Sequence, residues 1–139
     1  MSPAGYSGKP LAQKLGIKAG SRIAAIGAPT RYRALLGSLP AGSRIIKRLR
    51  VARGAHELIH WFVTRERELA GRFARMERAL TPAGALWISW PKRTSKVDTD
   101  LSENSIREIG LAHGLVDVKV CAVDETWSGL KFVRRLADR

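Results

Sequence analysis

Lys92, Lys96, Asp124 and Glu125, flanked by Trp90 and Trp127, are the residues of this chain best suited to holding a polar ligand. Two ammonium groups and two carboxylates between aromatic rings suit a small anionic or amphiphilic molecule. They suit better a salt-bridged loop that seals the rim of a sheet, with the tryptophans in the core. Other reactive residues are poorly placed for chemistry. Cys121 stands within an apolar run, where it reads as a small buried hydrophobe rather than a nucleophile. As the only cysteine it excludes an internal disulfide and fits a reducing cytoplasm. His56 and His60 share one face of a predicted strand, and His113 falls near a helix C-terminus, where a cation is favourable. The His and Cys spacings give no metal site, and no serine has nucleophile-elbow spacing.

Charge is distributed one-sidedly. Eleven of the 25 basic residues, and none of the 12 acidic ones, precede Glu57, in a chain of net charge +13. Arg44, Lys47, Arg48, Arg50 and Arg53 crowd a predicted edge strand, forming a candidate anion-binding edge. Its partner would be an anionic ligand, nucleic acid or an acidic protein. Charge on an edge also discourages sheet-to-sheet aggregation. No helix-turn-helix, zinc finger or aromatic ribonucleoprotein motif accompanies the basic run, so any nucleic acid would be held by its phosphates without sequence reading. The acid-free half also lacks the early carboxylate with which nucleotide-type cofactor sites hold a ribose.

The elements that must position these residues follow from periodicity. At 139 residues and 45% hydrophobic content, a single domain over 1–139 is expected, with 1–9 a Gly/Ser/Pro-rich arm. No stretch is long and apolar enough to span a membrane, and the N-terminus lacks the apolar core of a signal peptide. A short helix starts with Pro10 in its first position and ends at Gly16. Strands are expected at 22–26, 44–49, 58–63, 85–90, 116–123 and 130–134. Helices are expected at 30–36 under a Thr30 cap, at 65–80 under a Thr64 cap, and from an Asp100/Glu103 capping box to His113. Residues 91–99 read as a polar loop. This alternation predicts an α/β fold: a doubly wound, mostly parallel, Rossmann-like sheet of about six strands, with 44–49 at one edge. Only residues 124–129 join the last two strands, too few for a crossover, so the sheet should end in an antiparallel hairpin strand. In such sheets the ligand crevice lies outside the carboxyl ends of the strands. That edge gathers Gly27, Ala28 and Pro29, then Thr64, then Trp90 and Lys92 with Lys96, and finally Asp124, Glu125 and Trp127.

Leu80-Thr81-Pro82-Ala83-Gly84-Ala85-Leu86-Trp87-Ile88 and Gly110-Leu111-Ala112-His113-Gly114-Leu115-Val116-Asp117-Val118-Lys119-Val120 resemble two passages of the class I S-adenosylmethionine-dependent methyltransferases. The resemblance extends over residues 20–135 and implies that family's sheet and, in a working member, its cofactor. The arm Gly5-Tyr6-Ser7-Gly8-Lys9-Pro10-Leu11, the loop Trp90-Pro91-Lys92 and residues 120–130 resemble a narrower group, short bacterial proteins that form a domain-of-unknown-function family. The cofactor half departs from the methyltransferase pattern. Gly27-Ala28-Pro29 holds one glycine, and Pro29 removes an N–H. Arg50-Val51-Ala52-Arg53 stands where an acid is expected, and Val63-Thr64-Arg65-Glu66 lacks the Asn/Asp-Pro-Pro-aromatic signature. One strand–helix unit is also missing between the second and third strands. The expectation is a cytoplasmic, bacterial, non-catalytic binding or interaction module without cofactor or metal. A nonspecific nucleic-acid-associated protein and a residual S-adenosylmethionine-dependent methyltransferase are the alternatives.

Overall fold

A computed structural model describes residues 9–139, so the expected arm lies, apart from Lys9, outside the described residues. Six strands form one sheet: β1 (Arg22–Ile26), β2 (Arg44–Ile46), β3 (His56–Phe62), β4 (Leu80–Pro91), β5 (Leu115–Ala122) and β6 (Trp127–Arg134). Their order is β2-β1-β3-β4-β6-β5. β2, β1, β3 and β4 run parallel, while β6 is antiparallel to both β4 and β5. The expected closing hairpin is therefore present, and β2 is an edge strand as expected, although it ends at Ile46 rather than at residue 49.

Helices cover both faces. Alternation along the strands sends Ile23, Leu58, Phe62 and Trp87 toward α1 (Leu11–Leu15) and α2 (Tyr32–Leu36). It sends Ile59, Trp61, Leu86 and Ile88 toward α3 (Glu66–Arg78) and α4 (Glu103–Ala112). α3 presents Leu69, Phe73 and Met76 to that core, as a 3.6-residue period requires. α4 approaches β6 through Gly110, where any side chain would overlap the Phe132 ring. Between β2 and β3, residues 47–55 cross over without a helix, so the strand–helix unit missing from the sequence is missing from the fold.

Helix starts differ from expectation for identifiable reasons. Pro10 is the N-cap of α1 rather than its first residue, and Gly16 ends the helix in the left-handed region at φ 76°. The N-cap of α2 is Arg31, without a side-chain cap, so Thr30 plays no capping part. Thr64 does not cap α3 either: the N-cap is Arg65, and the Glu66 amide donates to Asp100 Oδ1 at 2.8 Å. Asp100 is thus used by α3 from 34 residues away. The capping box of α4 is Ser102 with Ser105 instead. β4 starts at Leu80 rather than at residue 85, because the chain leaves α3 directly into pairing with His56 and slips register before Leu58. A turn of 3-10 helix at Arg93–Ser95 lies within the predicted polar loop.

Candidate functional site

The carboxyl ends of β1, β3 and β4 meet the β5–β6 turn at one edge of the sheet, and the chain's own side chains span it. Arg31, just after β1, reaches the β5–β6 turn to pair with Asp124 at 3.0 Å. Given the strand order, this pair crosses the ends of β3 and β4. Asp124 is 5% exposed, and its other oxygen accepts the Thr126 and Trp127 amides, each at 2.8 Å. Beneath it, Phe62 and Trp127 meet edge to face at 5.1 Å, and Phe62 contacts Tyr32 at 5.5 Å. Gly27 adopts φ 69°, and a Cβ there would lie 2.8 Å from the Phe62 carbonyl oxygen. Packing against β3 therefore accounts for the glycine of the first-strand turn.

The α3 side of this edge is tied down as well. The Thr99 hydroxyl donates to the Thr64 carbonyl at 2.6 Å, Arg65 pairs with Asp98, and Asp100 caps α3. Ala28 and Pro29 are half-buried in the loop leading to Arg31. Trp90 and Trp127 separate: Trp90 joins the core under α3 and α4, whereas Trp127 packs on the opposite face beside Phe62. Lys92 is held by its amide, which donates to the Thr126 carbonyl at 2.7 Å. Lys96 ends the 3-10 turn at φ 62°, exposed, and Glu125 is exposed at the tip of the β5–β6 turn. The structure thus joins Asp124 and Trp127 to the rim but gives Lys92, Lys96 and Glu125 no common ion pair among the described residues.

A polar cluster invisible to motif reading lies deeper on the α2 side. His60 Nδ1 is 2.8 Å from the Tyr32 hydroxyl, and its Nε2 is 2.7 Å from Ser89 Oγ. Burial pushes the imidazole down to about 3, so it is neutral, with one ring nitrogen donating and the other accepting. Burial likewise pushes the Tyr32 hydroxyl far up. A hydroxyl–imidazole–hydroxyl chain has the connectivity of a nucleophile and its base. Here all three side chains are sealed, at 4%, 0% and 0% exposure, so no substrate reaches them and their work is to satisfy one another. The available sequence signal was polar residues at inward positions of apolar strands.

Cys121 sits half-buried in a groove of about 560 Å³ with Lys14, Lys92 and Lys119. Burial raises its pKa more than the three lysines lower it, which keeps it a thiol. The Lys14 ammonium, itself depressed by burial, donates to the Ala122 carbonyl at 2.9 Å.

At the opposite edge of the sheet the basic residues divide. Arg44, Arg50 and Arg53, with Arg22, line a groove of about 480 Å³. Arg50 and Arg53 also line a second groove of about 480 Å³, whose far wall is Arg75 and Arg78 of α3. Lys47 and Arg48 are exposed and line neither. Glu57, the first acid of the chain, opens β3 at this edge and binds Arg22 through both oxygens. That hydrogen-bonded pair holds the Glu57 carboxyl below its ordinary value. No cluster of three His, Cys, Asp or Glu among the described residues could hold a metal, and no described helix is long and apolar enough to cross a membrane.

No family model matches the chain, and no curated protein does. Solved structures do match. An S-adenosylmethionine-dependent methyltransferase from Aquifex aeolicus aligns with a TM-score of 0.69 at 13% identity, covering 92% of this chain and 89% of that one. The 1,6-didemethyltoxoflavin-N1-methyltransferase of Burkholderia thailandensis, with bound S-adenosylhomocysteine, gives 0.62 at 12% identity, over 91% and 77%. The [4+2]-cyclase SpnF gives 0.58 at 11%, over 89% and 79%. These identities speak to fold alone: the chain is a six-stranded α/β sheet of the methyltransferase type.

Proposed function

We propose that this domain is a non-catalytic binding module, built on a methyltransferase-like sheet that does not hold S-adenosylmethionine, and that its partner is anionic. The observation that carries this reading is the Arg31–Asp124 pair laid across the carboxyl ends of β3 and β4, over the Phe62–Trp127 contact. A cofactor in the usual crevice would displace these groups, and removing Arg31 would leave Asp124 buried without its cation. The first-strand turn packs on Phe62, and Pro29 offers no N–H. Glu57 is spent on Arg22 at the wrong edge to meet a ribose. Residues of this chain therefore do not fit the group that its fold suggests. A cytoplasmic setting and kinship with short bacterial proteins belong to the same reading.

Isothermal calorimetry with S-adenosylmethionine tests it. Binding weaker than about 1 mM, equivalent to about 4 kcal/mol or less, is expected. Micromolar binding overturns it and restores the methyltransferase alternative.

A further inference from the structure

We infer that the two arginine grooves on either side of residues 50–53 form one track for the phosphodiester backbone of a nucleic-acid duplex. This deepens the anionic-partner reading and rests on it. The grooves share Arg50, Ala52 and Arg53, so they are two sides of one wall. Arg44 extends the track toward β2, and Arg75 with Arg78 extends it along the last turn of α3. Among the described residues no acidic side chain lines either groove.

The pattern of ion pairing makes this more than a basic surface. Arg31, Arg65, Arg72, Arg107 and Arg134 each hold a carboxylate elsewhere in the fold, and Arg22, which lines the first groove, is paired with Glu57. Arg44, Arg50, Arg53, Arg75 and Arg78 form no ion pair among the described residues, and all five are exposed. Glu77, the acid nearest on α3, faces the other way and is engaged by Arg134 at 2.9 Å. His56 lies behind the first groove at 1% exposure, sealed from solvent, and its Nε2 accepts the Arg50 amide at 3.1 Å, which anchors the backbone that carries Arg50.

Why a duplex backbone? Ala52, Ala74 and Ala79 line the second groove beside Leu49 and the exposed Val51, and its charged side chains are all guanidinium groups, which suit phosphate oxygens. Among the described residues no aromatic ring other than the His56 imidazole lines either groove, so they offer no platform on which single-stranded bases would stack. The carbonyl end of α3 is electronegative, which places the phosphates over the arginine side chains rather than on the helix axis.

Fluorescence anisotropy with a mixed-sequence DNA duplex of about 20 base pairs, titrated at several salt concentrations, tests the assignment. Wild-type protein should bind with no sequence preference. The quadruple variant R50Q/R53Q/R75Q/R78Q should flatten the log–log salt slope by about three units and weaken binding at low salt at least tenfold. Each pair, R50Q/R53Q and R75Q/R78Q, should flatten it part-way. The control R33Q/R67Q/R93Q/R135Q, which removes the same charge elsewhere, should leave the slope nearly unchanged. Circular dichroism melts establish that every variant is folded. The inference is overturned if wild type does not bind at low salt, or if the control loses as much as the groove variant. It is equally overturned if only R50Q/R53Q matters, or if polyglutamate competes as well as duplex, which would make the partner an acidic protein. None of these outcomes touches the cofactor calorimetry, so the two readings fail separately.

Discussion

His60 shows how one buried residue ties stability to pH. Burial lowers its folded pKa to about 3, against about 6.5 for an unfolded histidine. Between those values the unfolded chain binds a proton that the folded chain refuses. Stability from this residue is complete above pH 6.5 and is lost as pH falls through the window, by up to about 1.4 kcal/mol per pH unit. His56, lowered mainly by burial, against a hydrogen bond to the Arg22 backbone that raises it, and lowered further by the Arg22 and Arg50 charges, acts with the same sign. Chemical denaturation between pH 7.5 and pH 5 should therefore show a steep acid limb before most carboxylates titrate. His60→Gln, which keeps a donor and an acceptor but does not titrate, should make that limb shallower. At neutral pH it should cost about 1–3 kcal/mol, because its geometry cannot bond both Tyr32 and Ser89 as the ring does. An unchanged limb would mean that His60 is not the group titrating.

Among the elements, two glycines inside helices should respond oppositely to the same substitution. Gly71, mid-way along α3, is exposed, and a Cβ there meets nothing within 4 Å. Gly71→Ala should stabilise by about 0.5–1 kcal/mol through helix propensity alone. Gly110 of α4 is buried against the Phe132 ring of β6. Gly110→Ala gains the same propensity but forces the helix off the sheet or the ring out of its rotamer, so a net loss of about 1–3 kcal/mol is expected. Thermal melts of the two variants decide this; two stabilised variants would show that α4 does not pack on β6 through Gly110. The contrast arises from packing, because both glycines stand at ordinary helical positions in their segments.

For the whole molecule, charge dominates. A net charge of +13 on 139 residues repels itself, and five of the exposed arginines converge on one edge. Raising ionic strength from about 0.01 to 0.15 M shortens the screening length from about 30 to 8 Å, so the melting temperature should rise. Phosphate should raise it further than chloride at equal ionic strength, since an anion that binds the folded state stabilises by mass action. A melting temperature that falls with salt would show that ion pairs such as the seven among the described residues outweigh the self-repulsion.

The sequence by itself determined the strand and helix succession, the antiparallel finish and the polar edge strand. Those follow from local periodicity and from an expected link of residues 124–129, too short to cross over and shorter still in the fold, where only 123–126 separate β5 from β6. It also revealed that the acids are missing from the first 56 residues. Tertiary structure alone decided what the charges do. Asp100 caps a helix 34 residues upstream rather than its own, because the loop after β4 folds back over the start of α3. Arg31 finds Asp124 across 93 residues, and Tyr32, His60 and Ser89 meet from three elements. Arg75 and Arg78, which helical periodicity marks only as a solvated face, become the far wall of a groove because nothing replaces the missing helix between β2 and β3. Periodicity tells which way a side chain points relative to its own element; which element stands opposite is set by the order of strands in the sheet.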